Sequence, residues 1–406
     1  MIFIPALAAR FLRPSFLIYA IGLGVLFLAD LIIARTFAHD EIAAWAQFRS
    51  LVGIAAVIPL VGLDQVLVRS PASSAQLLRL LGIQVPALGL AVGILMYWFG
   101  LVSYWWLGTG LAIGSAASLA LFQYFRAHRH EILSQFAQQG WKIAVFGFIL
   151  IMAFTGWRSD IVVWGVGLLL ANALIVALVV LVLPPERMHP QAPQPTRAHY
   201  AIGSRFMVTA LMLALSVYAE QLIVNRLGSS EEAALYFTTA TYFLFPLSFL
   251  NGYLAFLMGP WVRDRHDKFC ILLRTRWWAI VLGAAGYGVA MNLVGLTLWQ
   301  VVRPSVGAVD PELVMLLLWT GFARTLYLLP SGYLGVFGMP RQHDMLIIEQ
   351  ICALIPVVGL FLALRACSVD LVHSVAAASA LNWSLRASAG FIMIGVVARV
   401  RRREAH

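Results

Sequence analysis

Eight charged side chains interrupt otherwise apolar runs, and they are the residues of this chain best suited to chemistry. The basic four are Arg49, Lys142, Arg324 and Arg386; the acidic four are Asp30, Asp64, Glu220 and Glu349. A charge inside hydrocarbon is costly unless it faces protein or water. Lys142, Arg324 and Arg386 lie too deep in their runs for easy snorkelling. With Arg49 they make a candidate cationic wall for an anionic cargo, the arginines offering forked donors to phosphate. The same side chains can instead be ion-paired inside the bundle, for example Arg49 with Asp30 or Arg386 with Glu349. Asp30 and Glu220 are candidates for ion coupling, since a carboxylate withdrawn from water can take up a proton. Their alternative is a salt bridge to Arg35 or Arg226 that fixes a nearby loop.

The elements that carry these groups repeat. Ala29-Asp30 through Ala34-Arg35 is followed by Asp40-Glu41 and Ala43-Ala44-Trp45. Roughly 190 residues later, Ala219-Glu220 through Asn225-Arg226 is followed by Glu231-Glu232 and Ala233-Ala234-Leu235-Tyr236. Two direct copies of a multi-span unit predict an all-α polytopic protein of two membrane lobes, a transporter architecture. Apolar segments long enough to cross about 30 Å of hydrocarbon fall at about 15–35, 44–66, 82–100, 105–125, 133–155 and 161–183. A second six fall at about 204–226, 234–258, 277–301, 313–336, 344–365 and 371–397. The expected organisation is an N-terminal lobe (1–183), a Pro-rich linker (184–203), a C-terminal lobe (204–398) and a basic tail (399–406). Pro59, Pro86, Pro246, Pro330 and Pro356 predict breaks or bends within spans.

Composition agrees with a lipid-solvated chain. Of 406 residues 61% are hydrophobic and 11% charged, against about 25% charged in a soluble domain. The net charge of +10 does not point to nucleic acid, because the basic residues recur in short clusters between apolar runs. Placing both termini in the cytoplasm puts 19 of the 28 Lys and Arg in inside loops and the tail, and five outside. The expected location is a bacterial inner membrane. The first apolar run, behind Arg10 and Arg13, reads as an uncleaved first span.

Motifs for enzymatic chemistry are missing. There is no G-x-S-x-G, Walker loop, H-E-x-x-H or twin C-x-x-C. Cys270, Cys352 and Cys367 have no metal-ligand spacing, so neither metal nor cofactor is expected. His128-Arg129-His130 and Asp264-Arg265-His266-Asp267 read as solvated loop clusters, and His373 is the histidine placed to sense pH. Short outside loops leave no room for a catalytic domain.

The first hairpin, with Gly22-x-Gly24, Ala29-Asp30 to Ala34-Arg35, Asp40-Glu41, Gly62-Leu63-Asp64 and Val68-Arg69, resembles polysaccharide flippases of the multidrug/oligosaccharidyl-lipid/polysaccharide exporter superfamily. The second copy, Asn225 to Tyr236, resembles that family's second-half hairpin; Phe122 to Lys142 and Gly332 to Asp344 are also similar. Twelve spans and short loops are most similar to the Wzx-type O-antigen or capsule repeat-unit flippases. The resemblance implies two six-helix lobes in alternating access, moving an undecaprenyl-diphosphate-linked oligosaccharide from the inner to the outer leaflet. It also implies a polymerase and a chain-length regulator as pathway partners. Other readings are a drug antiporter of the same fold or a major-facilitator carrier. The latter's G-x-x-x-D-R-x-G-R loop is replaced here by Val68-Arg69-Ser70-Pro71-Ala72-Ser73.

Overall fold

The computed structural model describes residues 14–155, 161–182, 197–338 and 340–404, and no strand occurs among them. Among the described residues eleven helices are long and apolar enough to cross a membrane, and the count is twelve if one bent pair is taken as a single span. Close contacts divide the chain into unit 1 (1–33 and 40–219) and unit 2 (34–39 and 220–406).

Unit 1 runs through α1 (Pro14–Thr36), α2 (His39–Ala55), α3 (Val57–Leu60), α4 (Leu63–Arg69), α5 (Ser74–Trp98), α6 (Trp105–Ala127), α7 (Glu131–Thr155) and α8 (Ile161–Leu181). It also includes most of α9 (Arg197–Leu227), which therefore starts seven residues before its predicted 204. The predicted second span breaks after α3, where Val61 (φ 48°) and Gly62 (φ 67°) adopt the left-handed conformation. Gly62 is required twice over. Its φ suits glycine, and a Cβ there would come within 2.0 Å of the Gly203 carbonyl oxygen on α9. The break strands the Pro59 carbonyl, which accepts a hydrogen bond from the Gln84 side chain (2.9 Å). Pro86 sits inside α5 without interrupting it.

Unit 2 holds the end of α9, then α10 (Ser230–Phe243), α11 (Phe245–Asp264), α12 (His266–Thr275), α13 (Trp277–Val302), α14 (Pro311–Phe337), α15 (Pro340–Ala366) and α16 (Leu371–Glu404). The axes of α10 and α11 differ by 53°, with Pro246 in the first turn of α11. That proline has no N–H to continue the helical ladder. The Tyr287 hydroxyl donates to its carbonyl (2.7 Å). Pro330 and Pro356 lie within continuous α14 and α15.

One expectation is corrected in this unit. The loop around Arg265-His266 is not solvated throughout, because His266 opens the amphipathic helix α12. Its ring lies against Tyr333 and Phe337, with Nε2 3.1 Å from the Tyr333 hydroxyl. Phe269, one turn on, is fully buried in a cluster with Val262, Leu334, Leu346 and Met393. The arginines at 10, 13, 158 and 187 and the linker prolines fall outside the described residues.

The repeated acids have a plain structural meaning. Asp40 and Glu41 occupy the first turn of α2, and Glu231 and Glu232 that of α10, where carboxylates complement the positive end of the helix dipole. In α10 the arrangement is a full capping box. Ser229 Oγ accepts from the Glu232 N–H (3.1 Å), and Glu232 Oε2 accepts from the Ser229 N–H (2.8 Å).

Candidate functional site

In an antiparallel helical hairpin, residues equally far from the turn stand at the same depth. Asp30 is six residues before Thr36, the end of α1, and Trp45 six after His39, the start of α2. Accordingly Trp45 Nε1 donates to Asp30 Oδ1 at 2.8 Å, and both residues are fully buried. Arg49 lies one turn beyond Trp45 on the same face of α2 and brings Nη1 to 2.6 Å from Asp30 Oδ2. Lys142 on α7 acts on the same two charges through space. Its ammonium donates to Gln139 Oε1 (2.5 Å) and lies 5.8 Å from the Trp141 ring centre.

The second hairpin repeats the plan with different chemistry. Tyr236 on α10 donates its hydroxyl proton to Glu220 Oε2. The other oxygen, Oε1, accepts from Arg324 Nη2 on α14 (2.7 Å) and from Ser379 Oγ on α16 (2.5 Å). Ser379, Trp383 and Arg386 follow at i, i+4 and i+7, one stripe of α16. The Trp383 ring lies 4.8 Å from the Arg324 guanidinium carbon and 5.7 Å from that of Arg386. Two cations thus share one aromatic ring. Arg386 is buried and interacts with Tyr327; Glu349 on α15 acts on it through space.

The six predicted site residues therefore gather as two sets: Asp30, Arg49 and Lys142 in unit 1, and Glu220, Arg324 and Arg386 in unit 2. The alternative pairing of Arg49 with Asp30 is the one formed. The loop bridges to Arg35 and Arg226 are not, since the carboxylates point to arginines within the bundle. Asp64 stands apart at the start of α4, accepting from the Gln65 side chain (2.9 Å) and bonded to Gln123. Trp45, Tyr236, Ser379 and Trp383 were not singled out as site residues. Trp45 and Tyr236 had a signal, since they end the two copies of the repeat; Ser379 and Trp383 had none.

The helices bearing the unit 2 set are fastened at their starts. Asp310 caps α14, accepting from Glu312 N–H (3.0 Å) and Leu313 N–H (3.2 Å). Asp370 accepts from the His373 N–H (3.0 Å) at the start of α16. The His373 ring contacts both acids, Asp370 at 2.7 Å and Asp310 at 3.2 Å. Partial burial opposes ionisation of Asp370, but the bonds from His373 prevail and hold its carboxyl below the usual range. Among the described residues no group of three His, Cys, Asp or Glu side chains is arranged to hold a metal ion.

No protein-family model and no curated protein matches the chain by sequence. Solved structures do match over nearly the whole chain. The MATE multidrug transporter DinF-BH superposes with a TM-score of 0.65 at 15% identity, covering 97% of this chain and 96% of that one. A MOP-superfamily transporter from Pyrococcus furiosus gives 0.65 at 13% identity, with 96% and 94% covered. A MATE protein in complex with MaL6 gives 0.60 at 14% identity, with 95% of each chain covered. The chain accordingly has the fold of MATE and MOP-superfamily transporters.

Proposed function

We propose that the chain is a secondary transporter of the MOP superfamily. Its cargo on this reading is a lipid-linked oligosaccharide carrying a diphosphate, flipped from the cytoplasmic to the periplasmic leaflet by alternating access. The observation that carries this reading is the second cation, Lys142, that stands at the unit 1 carboxylate once Arg49 has paired with it. Asp30 is matched by Arg49, with Lys142 in excess; Glu220 is matched by Arg324, and Arg386, on the same tryptophan ring, has Glu349 acting on it through space. A surplus cation in a membrane-spanning helix suits an anionic cargo. A cationic drug would be opposed by it. The Pyrococcus furiosus transporter of this fold is described as having a binding pocket of reverse polarity that suggests a different function. Lys142 and Arg386 are the proposed diphosphate ligands, and Arg49 and Arg324 set the field around them.

Asp30 is the proposed coupling group. Trp45 and Arg49, which hold it, both stand on α2, so one helix movement frees both oxygens. A polymerase and a chain-length regulator acting on the delivered unit are the partners that this reading implies.

The test is deletion of the gene, with surface glycan and membrane lipid-linked oligosaccharides analysed separately. Loss of surface polymer with completed repeat units held on carrier lipid at the inner leaflet supports the reading. Intact glycan with no lipid-linked build-up overturns it in favour of a small-molecule carrier.

A further inference from the structure

The starts of α14 and α16 are built alike. Each is capped by an aspartate that spends one carboxyl oxygen on the backbone and turns the other toward a side chain. Asp310 Oδ1 accepts from the Glu312 and Leu313 N–H groups, and Asp370 Oδ1 accepts from the His373 N–H. The two remaining oxygens converge on one ring. Asp370 Oδ2 lies 2.7 Å from His373 Nδ1, and Asp310 Oδ2 lies 3.2 Å from Nε2.

An imidazole between two carboxylates is sensitive to its protonation state. A neutral ring carries one N–H, so its other nitrogen turns a lone pair toward a carboxylate oxygen. Only the imidazolium, with a proton on each nitrogen, suits both acids. The Nδ1 contact is a hydrogen bond, whereas Nε2 and Asp310 are close without hydrogen-bond alignment. The tie from α16 to α14 is therefore one of charge. Exposed ion pairs usually contribute little, partly because two long side chains must be ordered to make them. Here both carboxylates are already fixed as caps, and the His373 side chain is only 17% exposed.

Among the described residues no third charged side chain pairs with the ring. Glu232 of α10 comes near the start of α16, where Leu371 packs by Gly228, but it is engaged with the Ser229 N–H. Arg365, at the end of α15, donates to the Val369 carbonyl (2.7 Å), and Glu312 stands in the first turn of α14.

We propose that His373 is a proton-binding site that latches α14 to α16 at this end of unit 2, closed with the proton bound and open without it. The proton comes from solvent, adds to the lone pair of the bare ring nitrogen, and leaves the same way. Deeper in the unit the same two helices are joined by ties that need no histidine. Arg324 and Ser379 both donate to Glu220, and Trp319 Nε1 donates to Ser384 Oγ (2.9 Å). Histidines change charge between about pH 5 and 8, where ordinary carboxylates stay ionised. The latch therefore closes as pH falls through that range and opens as it rises. With both termini cytoplasmic this end faces outward, so the latch answers the outside pH. It does not rest on the cargo reading.

The experiment is amide hydrogen exchange over the first turns of α14 and α16, in the purified full-length protein in nanodiscs. H373Q and D310N are each compared with the wild type at the same pH, so the intrinsic pH dependence of exchange cancels. Asn caps a helix as well as Asp does, so D310N removes the charge opposite Nε2 and keeps the cap. At pH 5.5 both variants should exchange at least fivefold faster than the wild type over these turns, and at pH 8.0 less than twofold faster. Should H373Q not fold, D310N alone carries the expectation. An equal ratio at both pH values would make the contact a cap without a proton, and a ratio of one at both would leave it no weight; either overturns the latch.

Discussion

Asp30 in unit 1 and Glu220 in unit 2 occupy the same place in the repeated hairpin, but the helices that hold them differ in number. Glu220 sits on α9 and receives donors from α10, α14 and α16, so four helices meet on one carboxyl group. Asp30 receives both of its close donors from α2, one turn apart, and a second cation stands off on α7. The first arrangement is a brace, since shifting any one helix leaves the others engaged. The second is releasable, because a single sliding movement removes both donors. Equal position in a repeat therefore does not mean equal role, and the number of contributing elements separates them.

The comparison can be broken at several points. The largest expected effect is on transport. R386A and K142A should each reduce surface glycan at least tenfold with protein still in the membrane, and normal glycan in both removes these two cations from the cargo path. Next is stability. R324L leaves Glu220 buried against two neutral donors and should cost about 3–5 kcal/mol. R49L should cost less, since Lys142 remains near Asp30. Thermal unfolding of the purified proteins that ranks them the other way would invert the brace and the releasable site. Coupling gives a qualitative contrast: D30N should make transport insensitive to an imposed pH gradient, whereas E220Q, where it folds, should remain sensitive. Loss of sensitivity in E220Q would show that both carboxylates exchange protons. The smallest effects belong to the aromatic donors. Y236F and W45F each delete or weaken one hydrogen bond to a charged group, worth about 1.5–3 kcal/mol. Removing the ring-to-acid bond in Y236F should cost less than R324L; an equal loss would mean that the tyrosine, not the arginine, holds the brace.

Much of this was legible in the chain because hydrocarbon allows few choices. A run such as 313–336 had to be a helix, and it is Pro311–Phe337, extended to its Asp310 cap. The repeat was legible too, since Asp30 and Glu220 carry it in sequence and stand at matching positions in their own hairpins. The pairing of Asp30 with Arg49 was among the readings of the sequence, but which arginine Glu220 meets was not legible. Arg226 is near in sequence, whereas Arg324 is 104 residues from Glu220, and only packing brings that pair together. Periodicity locates a helix face but not its neighbour. The break at Val61-Gly62 was missed for a related reason. Pro59 announced some irregularity, but the left-handed pair two residues later is decided by the approach of Gly203 on a helix distant in sequence.

That approach has a genetic consequence. Every amino-acid replacement reachable from a glycine codon by one base change brings a Cβ, and at position 62 the smallest of these, alanine, already collides with the Gly203 carbonyl. Nor can the collision be relieved by turning a side chain, because the obstructing atoms are backbone on one side and the first side-chain carbon on the other. Position 62 thus has no conservative neighbour in the genetic code. In a saturation library of this gene it should behave like a stop codon, while Gly82, with open space around it, should accept most residues.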